Sequence, residues 1–235
     1  MIDNAFKDQE LYSVAVCSGQ TCAGTAEDVS IALTHEHTLS LSVCGRQERQ
    51  FVCSPAQLTE LCLGWLCGSG RIESADDVTA LRISADGRRA DAVAEPKERT
   101  DPVPFAKTAD ADHELCARAA DVLLRSASVH SKTRGTHGCV FVSSDGAMIF
   151  CEDIGRNNAM DKTIGRVLLE HRDPESGLLF SSGRVNAEIV SKAVRAGFPV
   201  LVTKATVTAE AIETAKRYRL CLAFFSDGKT CVLAG

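Results

Sequence analysis

Residues 147–165 read Ala147-Met-Ile-Phe-Cys-Glu-Asp-Ile-Gly-Arg-Asn-Asn-Ala-Met-Asp-Lys-Thr-Ile-Gly165. The first five are a short apolar run of the kind that makes a buried strand. After the polar turn that follows, Met160, Ile164, Val167 and Leu168 recur at helical spacing and share one face. A strand, a tight polar turn and a helix in direct succession open a strand–helix crossover unit. The turn itself is unusually polar. Glu152, Asp153, Gly155, Arg156, Asn157, Asn158, Asp161 and Lys162 crowd into it. One asparagine suffices to cap a helix. The remainder suits a site that grips a polyanionic or heterocyclic ligand beside the free N–H groups of a helix start.

Outward from this unit the alternation continues. A helix is predicted over about 112–128, with Leu115, Ala119, Val122 and Leu123 inward. Cys139–Ser143 pairs with 147–151 around Ser144-Asp145-Gly146. Leu178–Ser181 and Val200–Thr203 read as strands. Val185–Ala196, ended by Gly197, and Ala209–Tyr218 read as helices. Leu220–Phe225 and Thr230–Leu233 close the chain around Ser226-Asp-Gly-Lys229. The fold class is α/β (α+β overall), with a three-layer second domain over 109–235.

The first domain, 1–108, reads as smaller and strand-rich. Tyr12–Cys17, Leu39–Cys44, Gln50–Cys53 and Ala80–Ile83 alternate like strands, the middle two forming a hairpin through Gly45–Glu48. Ser54-Pro55 has the form of a helix cap and first residue. Leu58, Leu61, Cys62, Trp65 and Leu66 give that helix one apolar face, and Gly68 and Gly70 end it. From 86 to 112 the chain turns charged and proline-bearing, through Arg88-Arg89, Glu95-Pro-Lys-Glu-Arg99, Pro102 and Pro104. It is read as a linker or mobile loop.

Composition narrows the function. A net charge of −5 argues against a nucleic-acid binder, and 45 % hydrophobic residues permit a full core. No apolar run reaches membrane-spanning length, and Met-Ile-Asp-Asn-Ala-Phe has no signal core, so a cytoplasmic protein is expected. Eleven cysteines are present without a Cys-x-x-Cys pair. Most sit in apolar runs and read as small buried hydrophobes in a reducing compartment.

Two further polar loops fall at strand ends, where open α/β sheets place their sites. Ser181-Ser182-Gly183-Arg184, running into a helix that carries Glu188 and Lys192, suits a phosphate, although no Gly-Lys-Ser/Thr follows. Lys204 lies in line with the end of the strand before it. His137, in Thr133-Arg-Gly-Thr-His-Gly-Cys139, lies just ahead of a strand. His35 and His37 share a strand face around Glu36, a metal pair without an evident third ligand, and no metal site is expected.

Together these segments resemble the FdhD family, the formate dehydrogenase accessory sulfurtransferases. Residues 152–165 match the family's Glu-Asp-Val-Gly-Arg-His-Asn-Ala-x-Asp-Lys-x-x-Gly except for Asn157 in place of histidine. Ser182-Gly183-Arg184 with Glu188 and Lys192 matches its Ser-Gly-Arg-x-x-x-Glu-x-x-x-Lys. Ala196-Gly-Phe-Pro-Val200 matches Ala-Gly-Ile-Pro-Val. Thr133–His137 is similar to Thr-Gly-Gly-x-His, with Arg134 replacing a glycine. Pro55 and Glu60–Leu66 resemble its N-terminal pattern, so the likeness runs from about residue 30 onward.

The resemblance implies a second domain with a cytidine-deaminase-like fold but no deaminase chemistry. His137 has no glutamate two residues on, and no Pro-Cys-x-x-Cys follows. It implies binding of molybdenum bis-molybdopterin guanine dinucleotide, with guanine nucleotides as partial mimics. The site residues it implies are His137, the polar residues of 152–162, Ser182, Gly183, Arg184, Glu188, Lys204 and the turn Phe225, Ser226, Asp227, Gly228, Lys229. It implies a cysteine desulfurase and a formate dehydrogenase or another molybdoenzyme as partners, and a homodimer. The family's sulfur-carrying Cys-x-x-Cys loop would fall at about 85–110, where this chain has no cysteine. Transfer would then need another thiol. Cys139, beside His137, is the first candidate because an adjacent imidazolium lowers a thiol pKa, and Cys151 is the second. The other reading is a non-catalytic chaperone for the cofactor that has lost the relay.

Overall fold

The structure is a computed structural model and describes residues 1–20, 24–95 and 101–235. Thirteen strands and six α-helices appear among them. The second half is built on a six-stranded sheet. Its strands are β8 (His137–Ser143), β9 (Met148–Asp153), β10 (Gly177–Ser181), β11 (Val200–Thr203), β12 (Cys221–Ser226) and β13 (Lys229–Ala234), in the order β13-β12-β11-β10-β8-β9. The three central strands β10, β11 and β12 run parallel, and antiparallel hairpins flank them.

Helix α4 (Arg156–Leu169) leads from β9 to β10, and α5 (Ala187–Arg195) and α6 (Ala209–Tyr218) cross between the parallel strands. Asn186 and Thr208 cap α5 and α6 through their side chains. Alternate residues of the sheet face opposite ways. Cys139, Phe141, Leu179 and Leu201 join a core with α4, α5 and α6. Val140, Val142, Phe180 and Val202 join a second core with Cys116, Ala119 and Leu123 of α2 (His113–Ser126). Helices thus cover both faces, and β10 and β11 are buried throughout.

The first half contributes a five-stranded sheet, β1-β6-β7-β4-β5, from β1 (Ile2–Asn4), β4 (His37–Val43), β5 (Arg46–Cys53), β6 (Val78–Ile83) and β7 (Arg89–Ala94). A separate two-stranded ribbon pairs β2 (Tyr12–Gln20) with β3 (Ala26–Thr34). Helix α1 (Leu58–Gly68) lies between the five-stranded sheet and α4. It is buried on nearly every side, the expected state for a helix that is apolar all round. One continuous hydrophobic cluster therefore runs from Leu39 and Phe51 through α1 to α4, α5 and the six-stranded sheet.

Several expectations are corrected. Ser54 does not cap α1. The helix starts at Leu58 after Gln57, which takes a left-handed conformation, and Ser54 is engaged elsewhere. The hairpin turn is Cys44-Gly45 and not Gly45–Glu48, because β5 already begins at Arg46. The predicted linker at 86–112 contains β7, paired to β4 and β6. Its later part is docked, since Phe105 N–H donates to the Tyr218 carbonyl and the Arg219 guanidinium to the carbonyls of Phe105 and Ala106. Residues 96–100 of that prediction lie outside the described residues. On α2 the fully buried positions are Cys116, Ala119 and Leu123, while Leu115 and Val122 are half-buried. His35 and His37 do not face a common point. The His35 ring meets the Glu10 carbonyl, and His37 meets the Gly87 carbonyl beside Phe6. No helix among the described residues is long and apolar enough to cross a membrane.

Candidate functional site

The register of the six-stranded sheet gathers the polar loops at one edge. His137 pairs with Asp153, Cys139 with Ser181, Ser181 with Thr203, and Thr203 with Phe224. The start of β8 and the ends of β9, β10, β11 and β12 therefore lie side by side. The polar residues found there have three separate fates.

The first group closes the interior. Asp153 and Lys162 form an ion pair of 2.6 Å with both side chains fully buried. Asp153 also accepts from the backbone N–H groups of Ser54 and Gly155 and from the Asn158 amide, each at 2.9 Å. Asn158 donates onward to the Val52 carbonyl at 2.7 Å, and Ile154 N–H donates to Ser54 Oγ. This network pins the β5–α1 junction onto the β9–α4 turn. Glu152 faces the other way and holds α3 (Ser128–Thr133). It accepts from the N–H groups of Val129 and His130 and from Thr136 Oγ1. A carboxylate at a helix N-terminus is favourably placed for that task. Glu152, Asp153, Gly155, Asn158 and Lys162 thus have their polar groups spent on the fold.

The second group lines a cavity of about 380 Å³ between α2, α3 and the strand ends, with His130, Arg134, His137, Ser182 and Lys204 on its wall. Ser182 Oγ accepts from Gly138 N–H at 2.9 Å and lies 3.3 Å from His137 Nδ1. Gly183 is the hinge of this corner. A Cβ there would stand 2.7 Å from Arg156 Cβ and 3.3 Å from His137 Nδ1, so only glycine lets the turn close onto both. Thr203 Oγ1 donates to the Gly183 carbonyl, and Ser181 Oγ accepts from Gly183 N–H. Arg156 Nε is buried without a partner among the described residues. Arg134 and Lys204 are exposed at the rim. Arg134 caps the end of α3 at φ 56, a left-handed conformation that costs a non-glycine residue about 1–2 kcal/mol. The fold tolerates that cost and gains a guanidinium at the cavity mouth.

Burial first, then the Arg156 guanidinium and the His130 ring, hold His137 below the ordinary histidine value, against the opposing pull of Asp153. Its ring is neutral at pH 7. The unfolded chain takes up that proton near pH 6.5. Between the lowered value and about pH 6.5 the unfolded state thus carries more protons, and stability rises with pH. The His137 ring resonances are expected to titrate with a midpoint below about 6.5 in NMR. A midpoint at or above that value would contradict the environment described.

The third group lines another cavity. Asn157, Asp161 and Glu188 lie in a space of about 420 Å³ between α1, α4 and α5. Asp161 pairs with Lys192 at 2.7 Å, both buried, and burial raises its carboxyl above the usual range. Arg184 is exposed and lies on neither cavity wall. Of the last turn, Phe225 is turned into the core against Phe180, and Asp227, Gly228 and Lys229 are exposed, with Ser226 half-buried.

The geometry places the two candidate thiols in the interior. Cys139 and Cys151 are cross-strand partners inside the core, each 1 % exposed. Burial pushes their thiols up to about 12 and about 11, and the neutral His137 offers no imidazolium to reverse this. Among the described residues the exposed thiols are Cys17, Cys44 and Cys231. Cys22 lies outside the described residues. His130 and Ser131, on the cavity wall, were not foreseen, because α3 is six residues long and carries no apolar period.

The comparisons with known proteins agree with this architecture. A solved structure assigned to a formate dehydrogenase accessory protein from Desulfotalea psychrophila superposes with a TM-score of 0.84, at 22 % identity, covering 96 % of this chain and 98 % of that one. That likeness speaks for the fold. A sulfur carrier protein FdhD from Methanothermobacter thermautotrophicus is 30 % identical over 212 residues, 80 % of this chain and 83 % of its own. The protein of that name from Geobacillus kaustophilus is 28 % identical over 234 residues, 86 % of this chain and 87 % of its own. The model of the FdhD/NarQ family matches residues 87–233, which take in β8 to β13 and every polar loop at the sheet edge. The chain is a member of the FdhD/NarQ family.

Proposed function

We propose that this protein is a formate dehydrogenase accessory protein. It holds molybdenum bis-molybdopterin guanine dinucleotide as cargo and promotes its sulfuration with sulfur from a cysteine desulfurase. The observation that carries the reading is the corner where Gly183 brings His137, Arg156 and Ser182 together beneath Arg134 and Lys204. The cationic rim suits phosphates, and Ser182 with the neutral His137 suits a heterocycle edge. A cavity of about 380 Å³ is at the small end for ligand pockets. Its size would suit one guanosine phosphate end of the cofactor rather than the whole of it. The names of the relatives, sulfur carrier and formate dehydrogenase accessory protein, support the same role. The sheet order, with helices on both faces, supports a cytidine-deaminase-like unit over 109–235 beside a unit over 1–108. A desulfurase, a formate dehydrogenase or other molybdoenzyme, and a second copy of the chain are the partners of this reading.

A second reading is favoured by the burial of Cys139 and Cys151. Here the protein is a non-catalytic chaperone for the cofactor, because neither thiol beside the site can reach a donor. One experiment addresses both readings. The purified protein is incubated with a cysteine desulfurase and L-cysteine, and mass spectrometry seeks a gain of about 32 Da, one sulfur atom as a persulfide. Sulfur carriage predicts that gain on an exposed cysteine. No adduct, where a relative with the Cys-x-x-Cys loop is loaded, leaves the chaperone. In parallel, Arg134→Gly is expected to weaken GDP binding about tenfold, one charge-assisted contact. GDP affinity unchanged in that variant overturns the cavity assignment.

A further inference from the structure

The cavity between α1, α4 and α5 is separate from the corner described above, and its walls come from both halves of the chain. Arg49 of β5, Trp65 of α1, Arg71, Asn157 of α4 and Glu188 and Arg195 of α5 surround it. Some of its charges are already matched. Arg71 pairs with Glu48 at 2.5 Å, and Lys192 on the floor pairs with Asp161. Arg49 and Arg195 have no carboxylate within ion-pair distance among the described residues, although Arg49 lies near enough to draw the Asp161 carboxyl down against its burial.

Apart from Asp161 Oδ1, which only the Lys192 ion pair meets, two buried polar atoms in the same lining lack partners among the described residues, and they are complementary. Arg195 Nε is a donor without an acceptor, and Asn157 Oδ1 is an acceptor without a donor. Such groups carry a desolvation cost until something satisfies them. Arg195 is held in place by the turn after α1, where Gly70 adopts φ 76 and a Cβ would come within 3.1 Å of Arg195 Nε. The ring of Trp65 forms an apolar wall, with Arg71 over it at 5.6 Å and Phe51 edge-on.

We propose that this cavity binds a small phosphate ester bearing free hydroxyls, of the sugar-phosphate class. The phosphate would sit between the Arg49 and Arg195 guanidiniums, supplying the acceptor that Arg195 Nε lacks. A ligand hydroxyl would donate to Asn157 Oδ1, with the Glu188 carboxylate as a second acceptor at the mouth. A bare anion satisfies only the first of these needs, and an unphosphorylated sugar only the second. Because β5 and α1 meet α4 and α5 here, the ligand would also bridge the two halves of the chain.

Trp65 is the only tryptophan in the sequence, so its emission reports on this cavity alone. The intact protein is titrated with ribose 5-phosphate, ribose and inorganic phosphate. Ribose 5-phosphate is expected to give a saturable change in emission, phosphate a weaker one, and ribose none. Arg195→Gln is expected to weaken ribose 5-phosphate about tenfold or more, the loss of one charge-assisted contact. Arg49→Gln, at an exposed position, should weaken it similarly. Arg217→Gln, on the exposed face of α6, should bind as the parent does. No saturable change with ribose 5-phosphate, or curves for Arg195→Gln and Arg49→Gln that superimpose on the parent's, overturns the proposal. So does an equal response to ribose.

Discussion

Replacing Lys162 by methionine is expected to lower the free energy of unfolding by about 3–5 kcal/mol, the cost of leaving one member of a buried ion pair uncompensated. The ammonium is fully buried, 2.6 Å from Asp153 and within reach of the Ser54 carbonyl. Methionine keeps most of the volume, so the loss measures charge and hydrogen bonding rather than a cavity. The Asp153 carboxylate would retain its three N–H donors but lose the one cation paired with it among the described residues. A second variant separates the pair from the packing. Asp153→Asn combined with Lys162→Met removes both charges and should recover a large part of the loss, since an apolar or neutral replacement of a whole buried pair is often tolerated. The measurement is the denaturant midpoint of each variant. A Lys162→Met midpoint within about 0.5 kcal/mol of the parent, the usual effect of a surface substitution, would return Lys162 to the list of ligand contacts.

The same residues show what a sequence can and cannot disclose. The polar crowd at 152–162 was visible, and so was its position between a strand and a helix. Its allocation was not. Asp153, Asn158 and Lys162 are spent on Ser54 and Val52, about a hundred residues away, and no local pattern announces such partners. Ser54-Pro55 carried a genuine cap signal, but the Ser54 hydroxyl is taken by Ile154 N–H, and the helix starts later. Strands β10, β11 and β12 were legible because strands covered on both faces read as unbroken apolar runs. Strand β3 was missed because Val29, Ile31 and Leu33 lie on an isolated ribbon with no buried face to impose a clean alternation. The apolar face of α1 was read as one stripe. Gly64, off that stripe, is buried as well, and a residue without a side chain leaves no trace in a hydrophobic pattern. For Cys139, its neighbour in sequence suggested activation, while its cross-strand partner Cys151 and the core around it decide the outcome.

The Gly64 side of α1 leads to the other large effect. Gly64→Ala is expected to destabilise the protein by about 3 kcal/mol, the upper part of the range for overpacking. A Cβ at Gly64 would fall inside the backbone carbonyl of Asp161, and a Cβ at Gly165 inside that of Glu60. Each helix thus presents a glycine to the other's backbone, and α1 and α4 cross in direct contact. The obstacle is main chain in both cases, so no rotamer change relieves it. In an exposed helix the same substitution would stabilise by roughly 0.5–1 kcal/mol through lower backbone entropy, and the sign of the effect therefore identifies the crossing. Relief requires α1 to move away from α4, which would strain the hydrogen bond from Ser54 to Asp153 in the segment ahead of the helix and the cavity wall at Trp65 near its end. Gly64→Ala should consequently shift the Trp65 emission as well as the midpoint, whereas Gly146→Ala, at an open turn with φ 93, should lower stability without moving the emission. A stabilising Gly64→Ala would mean that the two helices do not touch, and with them would go the continuous core that joins the two sheets.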